Sequence, residues 1–321
     1  MFKTPRFWYA KRPNLFARIL QPLSWVYTAA SKIYQSFKTP SECNAKIVCV
    51  GNVTVGGTGK TPLTVTLFEI LKANGKAVAI FSKGYGRTLK TPLMQVKPTK
   101  HTAQDVGDEP LMMAVRGCDV WVSDDRAQAL AELSEQYNVI LLDDGLQDSA
   151  VIKDVSLLVV DGDKGFGNRL QLPAGPLRAP LPDALNKVQA VFITGNDKYG
   201  VEDITGKAKP VFQGGLRSTK KADTAEQAVA FAGIGFPEKF YQTLKDDGVE
   251  ILATFDFPDH YVYTSSDLDK MIDAYKGRVI YTTEKDYIRI PLEYKKYITP
   301  YPVSLKINDE NAFVKWLLSA I

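Results

Sequence analysis

Hydrophobic and polar positions follow different rhythms in different parts of this chain. Short apolar runs without alternation recur at 46–50, 77–81, 119–122, 139–142, 155–160 and 190–193. Runs of this kind predict strands buried on both faces. Helical spacing lies between several of them. One helix opens at Pro62 in its first turn, continues through Leu63, Leu67, Phe68, Ile70 and Leu71, and closes at Asn74-Gly75; a second covers 125–136. Strands separated by helices predict a parallel α/β sheet with helices on both faces. Gly214-Gly215 and the polar stretch 218–224 then interrupt the pattern. A strand at 228–232 restarts it, followed by a helix through Tyr241 and Leu244, a strand at 279–282 and a closing helix at 312–321. The expected units are therefore an arm at 1–41, a larger α/β domain at 42–215 and a smaller one at 216–321, with no internal repeat or low-complexity segment.

The arm has its own pattern. From Leu23 onward Val26, Tyr27, Ala30, Ile33, Tyr34 and Phe37 fall on one helical face. Pro22 interrupts the apolar stretch before it, so no run approaches the roughly 18–20 apolar residues that span a bilayer. No uninterrupted apolar core with a small-residue cleavage site marks a secretory signal.

Length and composition add bounds. The 321 residues suit about two domains, and 45% hydrophobic with 24% charged residues excludes wholesale disorder. Cys43, Cys49 and Cys118 without a CxxC exclude a disulfide scaffold or a thiolate zinc cluster and fit a reducing compartment. Two histidines, His101 and His260, argue against a multi-histidine metal site. The net charge of +4 hides an asymmetry: residues 1–41 hold seven basic side chains, nine aromatics and no acid, leaving a mildly acidic body. Such an arm should meet something anionic, and basic residues interleaved with aromatics suit a helix lying among lipid headgroups. The alternative is a helix packed on the body with its aromatics in an ordinary core. Nucleic acid is disfavoured, because the basic residues are dispersed and no recognition motif accompanies them.

Candidate chemistry begins after the first strand, at Gly51-Asn-Val-Thr-Val-Gly-Gly-Thr-Gly-Lys-Thr61. Phosphate groups need backbone N–H groups that approach closely, a helix N-terminus and a cation. Gly56, Gly57 and Gly59 supply the loop, Lys60 the cation and Thr61 a hydroxyl for Mg²⁺; Thr54 stands where the usual phosphate-loop pattern begins with glycine. The strand before and the helix after supply the required context. Val139-Ile-Leu-Leu-Asp143-Asp144 matches a strand that ends in carboxylates beside a nucleotide's metal, although such an end can also be a turn or helix cap. Asp108 in Gly107-Asp-Glu-Pro110 can accept a proton or simply start a helix, and Lys83 and Arg87 flank a Gly-Tyr-Gly that is either a phosphate clamp or a tight turn. His260, beside Phe257, Tyr261 and Tyr263, can serve an aromatic cluster or catalysis.

Taken together, these residues resemble the tetraacyldisaccharide 4'-kinase family of lipid A synthesis. The resemblance is carried by Gly51 to Pro62, Lys83-Gly-Tyr-Gly-Arg87, Val106-Gly-Asp-Glu-Pro110, Asp143-Asp-Gly-Leu-Gln147, Leu172-Pro-Ala-Gly-Pro-Leu-Arg178, Phe231-Ala-Gly-Ile-Gly235, Phe257-Pro-Asp-His-Tyr261 and Thr283-Glu-Lys-Asp286, in order. It implies a P-loop NTPase-like parallel sheet, a smaller C-terminal α/β domain and an amphipathic N-terminal helix on the cytoplasmic face of the bacterial inner membrane. The implied reaction moves the ATP γ-phosphate, with Mg²⁺, to the 4'-hydroxyl of a tetraacyl glucosamine disaccharide 1-phosphate, giving lipid IVA. The implied nucleotide site is Thr54, Val55, Gly56, Gly57, Thr58, Gly59, Lys60 and Thr61; Thr61, Asp143 and Asp144 would hold the metal. Asp108 and His260 would be the catalytic pair, with Lys83, Arg87, Arg126 and Arg178 toward substrate or phosphate. Three positions depart from the family's pattern: Lys83 where arginine is usual, Asp148 where histidine is frequent and Ala179 where glutamate is common. Two other readings use the same loop. A membrane-recruited P-loop ATPase switch is disfavoured by Val55, where dimeric membrane ATPases carry lysine. A soluble kinase or ligase is disfavoured by the arm.

Overall fold

Each apolar run read from the sequence is a strand in one largely parallel frame. The computed structural model describes residues 5–10, 12–206, 209–219 and 227–321, so Lys3 and Lys11 of the arm and 220–224 of the polar stretch lie outside the described residues. The strands are β1 (Lys46–Gly51), β2 (Val78–Ser82), β3 (Met94–Gln95), β4 (Val120–Val122), β5 (Val139–Asp143), β6 (Val155–Asp161), β7 (Ala190–Thr194), β8 (Val211–Ser218), β9 (Gln227–Ala232), β10 (Glu250–Asp256), β11 (Val279–Thr283), β12 (Thr299–Tyr301) and β13 (Val303–Ile307). Nine form a sheet in the order β13-β8-β7-β6-β1-β5-β2-β4-β3, parallel except at its two edges, where β13 and β3 run antiparallel to their neighbours.

Burial on both faces explains the unbroken apolar runs. In β1, Val48 and Val50 join one core with Leu63, Leu67 and Leu71 of the helix Lys60–Ala73, while Ile47 and Cys49 join another with Ala129, Leu130 and Leu133 of the helix Arg126–Leu133. Because β1 sits between β5 and β6, the carboxyl ends of these strands place Gly51, Asp143 and Asp161 along one rim, where open α/β sheets bind ligands.

A second, parallel sheet has the order β10-β9-β11-β12. The helix Pro237–Asp246 covers one face with Phe240, Tyr241 and Leu244, and the helix Ser265–Ala274 covers the other with Leu268 and Met271. The expected boundary needs correction. Gly214 and Gly215 do not interrupt the large sheet; they lie inside β8, opposite Ile307 and Lys306 of β13. A Cβ on Gly214 would stand 2.5 Å from the Lys306 carbonyl oxygen and 2.9 Å from the Phe192 ring, so glycine here permits a close approach of strands rather than a turn. Residues 303–321 also leave the second unit, since β13 and the helix Glu310–Ala320 return to the large sheet through Phe313 and Leu317.

The arm helix runs from Leu15 to Ser36, beginning ahead of the periodicity at Leu23 and passing through Pro22. Asn14 caps it by accepting from the Ala17 N–H at 2.9 Å. Pro22 removes one intrahelical hydrogen bond, and Ser24 two residues later docks the helix: its hydroxyl donates to the Gln171 carbonyl at 2.8 Å and accepts from the Ala174 N–H at 3.2 Å. Ala17 and Ser24 are its buried residues. The apolar face points away from the body: Trp25 is 62% exposed, Val26 67%, Tyr34 66% and Phe37 82%. The aromatics of this helix therefore do not form an ordinary core, and among the described residues no helix is long and apolar enough to cross a membrane.

Candidate functional site

The loop 52–59 joins the end of β1 to the helix Lys60–Ala73, and its shape is dictated by glycine. Gly59 caps that helix with φ +85°, and a Cβ there would lie 2.8 Å from the Thr194 methyl. Gly56 has φ +108°, a region where side chains are strained. The loop is braced from outside. The Thr194 hydroxyl donates to the Thr58 carbonyl at 2.9 Å, the Asn52 amide to the Thr54 carbonyl at 2.7 Å, and the Gln147 amide to the Asn52 carbonyl at 2.6 Å. The segment 172–178 completes the brace: the Val55 N–H donates to the Pro176 carbonyl at 2.9 Å, and the Arg178 N–H to the Val53 carbonyl at 2.7 Å. A glycine loop held open at a helix N-terminus presents backbone N–H groups to anions.

Lys60, Asp143 and Asp144 converge beside this loop, and Thr61 follows Lys60 in the first turn of the helix. Lys60 Nζ lies 3.7 Å from Asp144 Oδ2, and Arg178 Nη1 lies 3.2 Å from the same oxygen. Asp144 adopts φ +58°, turning the chain where β5 ends. Asp143 is fully enclosed; Thr64 Oγ1 donates to it at 3.3 Å. Burial, reinforced by the negative charges of Glu109 and Asp144 and opposed by Lys60, pushes the Asp143 carboxyl up to about 7. Asp144 Oδ1 and Thr58 Oγ1 are buried without hydrogen-bond partners. A carboxylate pair with one buried, unpartnered oxygen has the donor chemistry of a magnesium site that also takes oxygens from a substrate phosphate, and Thr61 in the first helical turn would add a hydroxyl. Among the described residues no group of three or more His, Cys, Asp or Glu could hold a metal without such a contribution.

The second half of the site joins the two units. Asp108 begins the helix Asp108–Val115 after Gly107, which has φ +96° and packs on the 84–86 turn so closely that a Cβ there would stand 3.1 Å from Gly84. Asp108 starts a helix, and its Oδ2 lies 2.8 Å from His260 Nδ1 across the interface. His260 sits at φ +60°, a conformation rare outside glycine, asparagine and aspartate, and Tyr85 faces its ring at 6.1 Å. Two residues given no role from the sequence, Lys285 and Arg289, join them. Arg289 Nε lies 3.5 Å from Asp108 Oδ2, and Lys285 Nζ lies 3.4 Å from His260 Nε2 and 3.2 Å from Glu109 Oε1. In the sequence Lys285 lies inside the Thr283-Glu-Lys-Asp286 motif, and no motif marks Arg289.

The predicted cations divide. Arg178 reaches the acidic pair. Lys83 and Arg126 instead gather on Asp148 with Lys38, at 3.4, 3.0 and 3.0 Å. Burial alone would raise the Asp148 carboxyl, but the Ala150 N–H and these cations hold it well below the usual carboxylate range. Arg87 is corrected: its guanidinium donates to the Lys83 and Leu89 carbonyls and pairs with Asp124 at 2.7 Å, with 1% of the side chain exposed, so it shapes the turn and is not free to hold substrate.

Comparison with known proteins follows this geometry. Residues 16–321 match the family described as tetraacyldisaccharide-1-P 4'-kinase. A tetraacyldisaccharide 4'-kinase of Rhodospirillum centenum is 40% identical over 325 residues, covering 98% of this chain and 96% of the relative. One from Gluconobacter oxydans is 37% identical over 317 residues, covering 96% and 94%. The crystal structure of LpxK from Aquifex aeolicus in complex with ATP has a TM-score of 0.77 at 25% identity, covering 95% of this chain and 99% of that one.

Proposed function

The chain belongs to the tetraacyldisaccharide-1-P 4'-kinase family, and from that premise we propose how its own residues perform the reaction. The enzyme is a lipid A 4'-kinase: it transfers a phosphoryl group from ATP to the 4'-hydroxyl of a tetraacyl glucosamine disaccharide 1-phosphate. The observation that carries the assignment of roles is the 2.8 Å contact of Asp108 with His260, because it sets a carboxylate base at the seam between the glycine-cradle unit and the second unit.

Phosphoryl transfer depends on positioning and charge neutralisation. Gly56 to Gly59 and Lys60 hold the triphosphate against the helix N-terminus. Thr61, Asp143 and Asp144 would hold Mg²⁺, which when bound neutralises charge on the phosphates. Asp108 accepts the proton as the 4'-oxygen bonds to the γ-phosphorus; the bond from that phosphorus to the β–γ bridging oxygen breaks, and ADP leaves with the electron pair. His260 orients Asp108 from the other unit. Arg178, bound to Asp144, couples the acidic pair to the segment that braces the loop.

The arm supports a peripheral position on the membrane that holds the lipid substrate. Its helix docks through Ala17 and Ser24 and leaves Leu23, Trp25, Val26, Ile33 and Phe37 exposed, the reverse of a helix that packs its apolar face on a core. Replacing Trp25 and Val26 together by serine should weaken co-sedimentation with anionic vesicles by about tenfold or more without altering turnover of detergent-dispersed substrate. Unchanged sedimentation removes the membrane assignment.

The test of function is incubation of the full chain with ATP, Mg²⁺ and the acylated disaccharide 1-phosphate, followed by mass measurement. The product should carry one added phosphoryl group. ATP hydrolysis without that product, stimulated by bilayers alone, would support a nucleotide switch instead.

A further inference from the structure

Thr283-Glu-Lys-Asp286 starts the short helix Glu284–Tyr287 at the end of β11, and every one of its side chains is engaged. The Thr283 hydroxyl caps the turn, accepting from the Asp286 N–H at 3.1 Å and donating to Asp286 Oδ2 at 2.6 Å. The wholly buried Asp286 also accepts from the Gly233 N–H at 3.0 Å and the Tyr263 hydroxyl at 2.7 Å. Glu284 accepts from Arg116 Nε at 3.0 Å and from the Val303 N–H at 3.2 Å. Lys285, between these anchors, is delivered to His260 Nε2 at 3.4 Å.

Resting on the assignment of Asp108 as the base, we infer that Lys285 is a positioning residue for the Asp108–His260 pair: it holds the imidazole as the tautomer whose Nδ1 proton faces Asp108. The reasoning is one of donors and acceptors. A lysine ammonium has three donors and no acceptor, so a nitrogen facing it presents a lone pair. A neutral imidazole has one N–H and one lone pair. With the lone pair at Nε2, the proton sits on Nδ1 and is donated to Asp108 Oδ2 over 2.8 Å. Arg289 addresses the same oxygen at 3.5 Å, held there by its bonds to the carbonyls of Tyr261 at 3.2 Å and Gly233 at 3.0 Å. Both contacts fall on Oδ2, which assigns the incoming 4'-hydroxyl proton to Oδ1.

The charged groups facing the imidazole make Lys285 necessary. Asp108 lies on one side; Asp259 Oδ1 lies 3.8 Å from Nε2 on the other and 3.8 Å from Lys285 Nζ. Glu109 holds Lys285 from the helix Asp108–Val115, and Arg289 completes the surround. Without Lys285 the group left facing Nε2 is Asp259 Oδ1, an acceptor, which favours the other tautomer with its proton on Nε2. A lone pair at Nδ1 would then face Asp108, and the imidazole would no longer orient that carboxylate.

The competing account makes Lys285 a staple that joins the units through Glu109, and a double-mutant cycle in the detergent-solubilised full chain separates the two. Lys285→Met should lower kcat by about 10- to 100-fold, with KM for the lipid and ATP affinity within about threefold, and Lys285→Arg should recover part of the loss. Added to His260→Ala, Lys285→Met should change kcat by less than about twofold, because the ring it acts through is gone. Glu109→Gln should cost less than about threefold, as expected of a part-exposed ion pair. With His101→Asn leaving a single histidine, ¹⁵N spectra should show Nε2 unprotonated in the parent and protonated in Lys285→Met. The inference is overturned if Lys285→Met slows the His260→Ala enzyme as much as the parent, if Glu109→Gln reproduces the loss, or if the parent carries its proton on Nε2. Full turnover by Asp108→Asn would instead overturn the assignment of the base, whatever Lys285 does.

Discussion

Around Lys60 the backbone of the loop is set locally, though Gln147, Thr194 and the 172–178 segment brace it: the loop follows β1, the helix follows the loop, and glycines at 56 and 59 take backbone angles that other residues resist. Around Asp108 nothing is local. His260, Lys285 and Arg289 come from 152 to 181 residues away, and the contacts are hydrogen bonds and ion pairs between charged side chains. The first region is made rigid by steric exclusion, so it is present whenever the large sheet is folded. The second exists only when the two units meet, and its strength depends on charge and solvent. Nucleotide binding should therefore be separable from transfer, with seam substitutions changing turnover and cradle substitutions changing nucleotide affinity.

The sharpest way to break this division is Asp108→Asn. It should lower kcat by about 10²- to 10⁴-fold while ATP affinity, measured by calorimetry, stays within about twofold. Next is Gly59→Ala, which places a Cβ 2.8 Å from the Thr194 methyl at φ +85°. Strain of about 1–3 kcal/mol should weaken ATP binding by roughly 10- to 100-fold and leave kcat at saturating ATP within a few-fold. A comparable loss of ATP affinity in both variants would show that the regions are not independent.

A smaller effect tests the seam alone. Arg116, at the far end of the Asp108 helix, grips Glu284 and the Val303 carbonyl. Arg116→Met should reduce kcat/KM for the lipid by about five- to tenfold and lower the melting temperature by about 2–4 °C, with ATP affinity unchanged. The smallest expected effect concerns pH. The Asp143 carboxyl is pushed up to about 7 by burial, against about 4 in an unfolded chain. Between those values the folded, ligand-free protein keeps a proton that the unfolded chain has released, so this group lowers stability as pH rises through the window and costs nothing further above it. Asp143→Asn should flatten that slope in melting curves taken from pH 5 to 8; an unchanged slope would show that Asp143 is already ionised there.

Much of the cradle is legible in the sequence because a glycine loop between a strand and a helix permits few shapes, and its neighbours at 139–144 end a run of four apolar residues. Arg178 is visible as a motif residue, but its bond to Asp144 depends on the 172–178 segment folding back along the loop. Arg87 is misplaced by the sequence because a cation beside glycines suits a phosphate clamp and a self-satisfied turn equally well, and only its bonds to Lys83, Leu89 and Asp124 distinguish them. Gly214-Gly215 misleads for a related reason: glycine marks both turns and close strand contacts, and the β13 partner comes from 90 residues further along.

The sequence by itself determined the parallel sheet, the glycine cradle with its lysine and acidic pair, and an arm whose aromatics share one helical face, because each rests on a repeat or a backbone demand spanning a few residues. Tertiary structure alone decided that the arm helix docks by Ala17 and Ser24 and shows its own aromatics outward. It alone decided that the last strand returns to the first sheet, and that Asp108 meets His260, Lys285 and Arg289. Those facts concern which surfaces face each other across long separations in the chain, where the favourable energy comes from burial and charge pairing between distant segments and no local spacing records it.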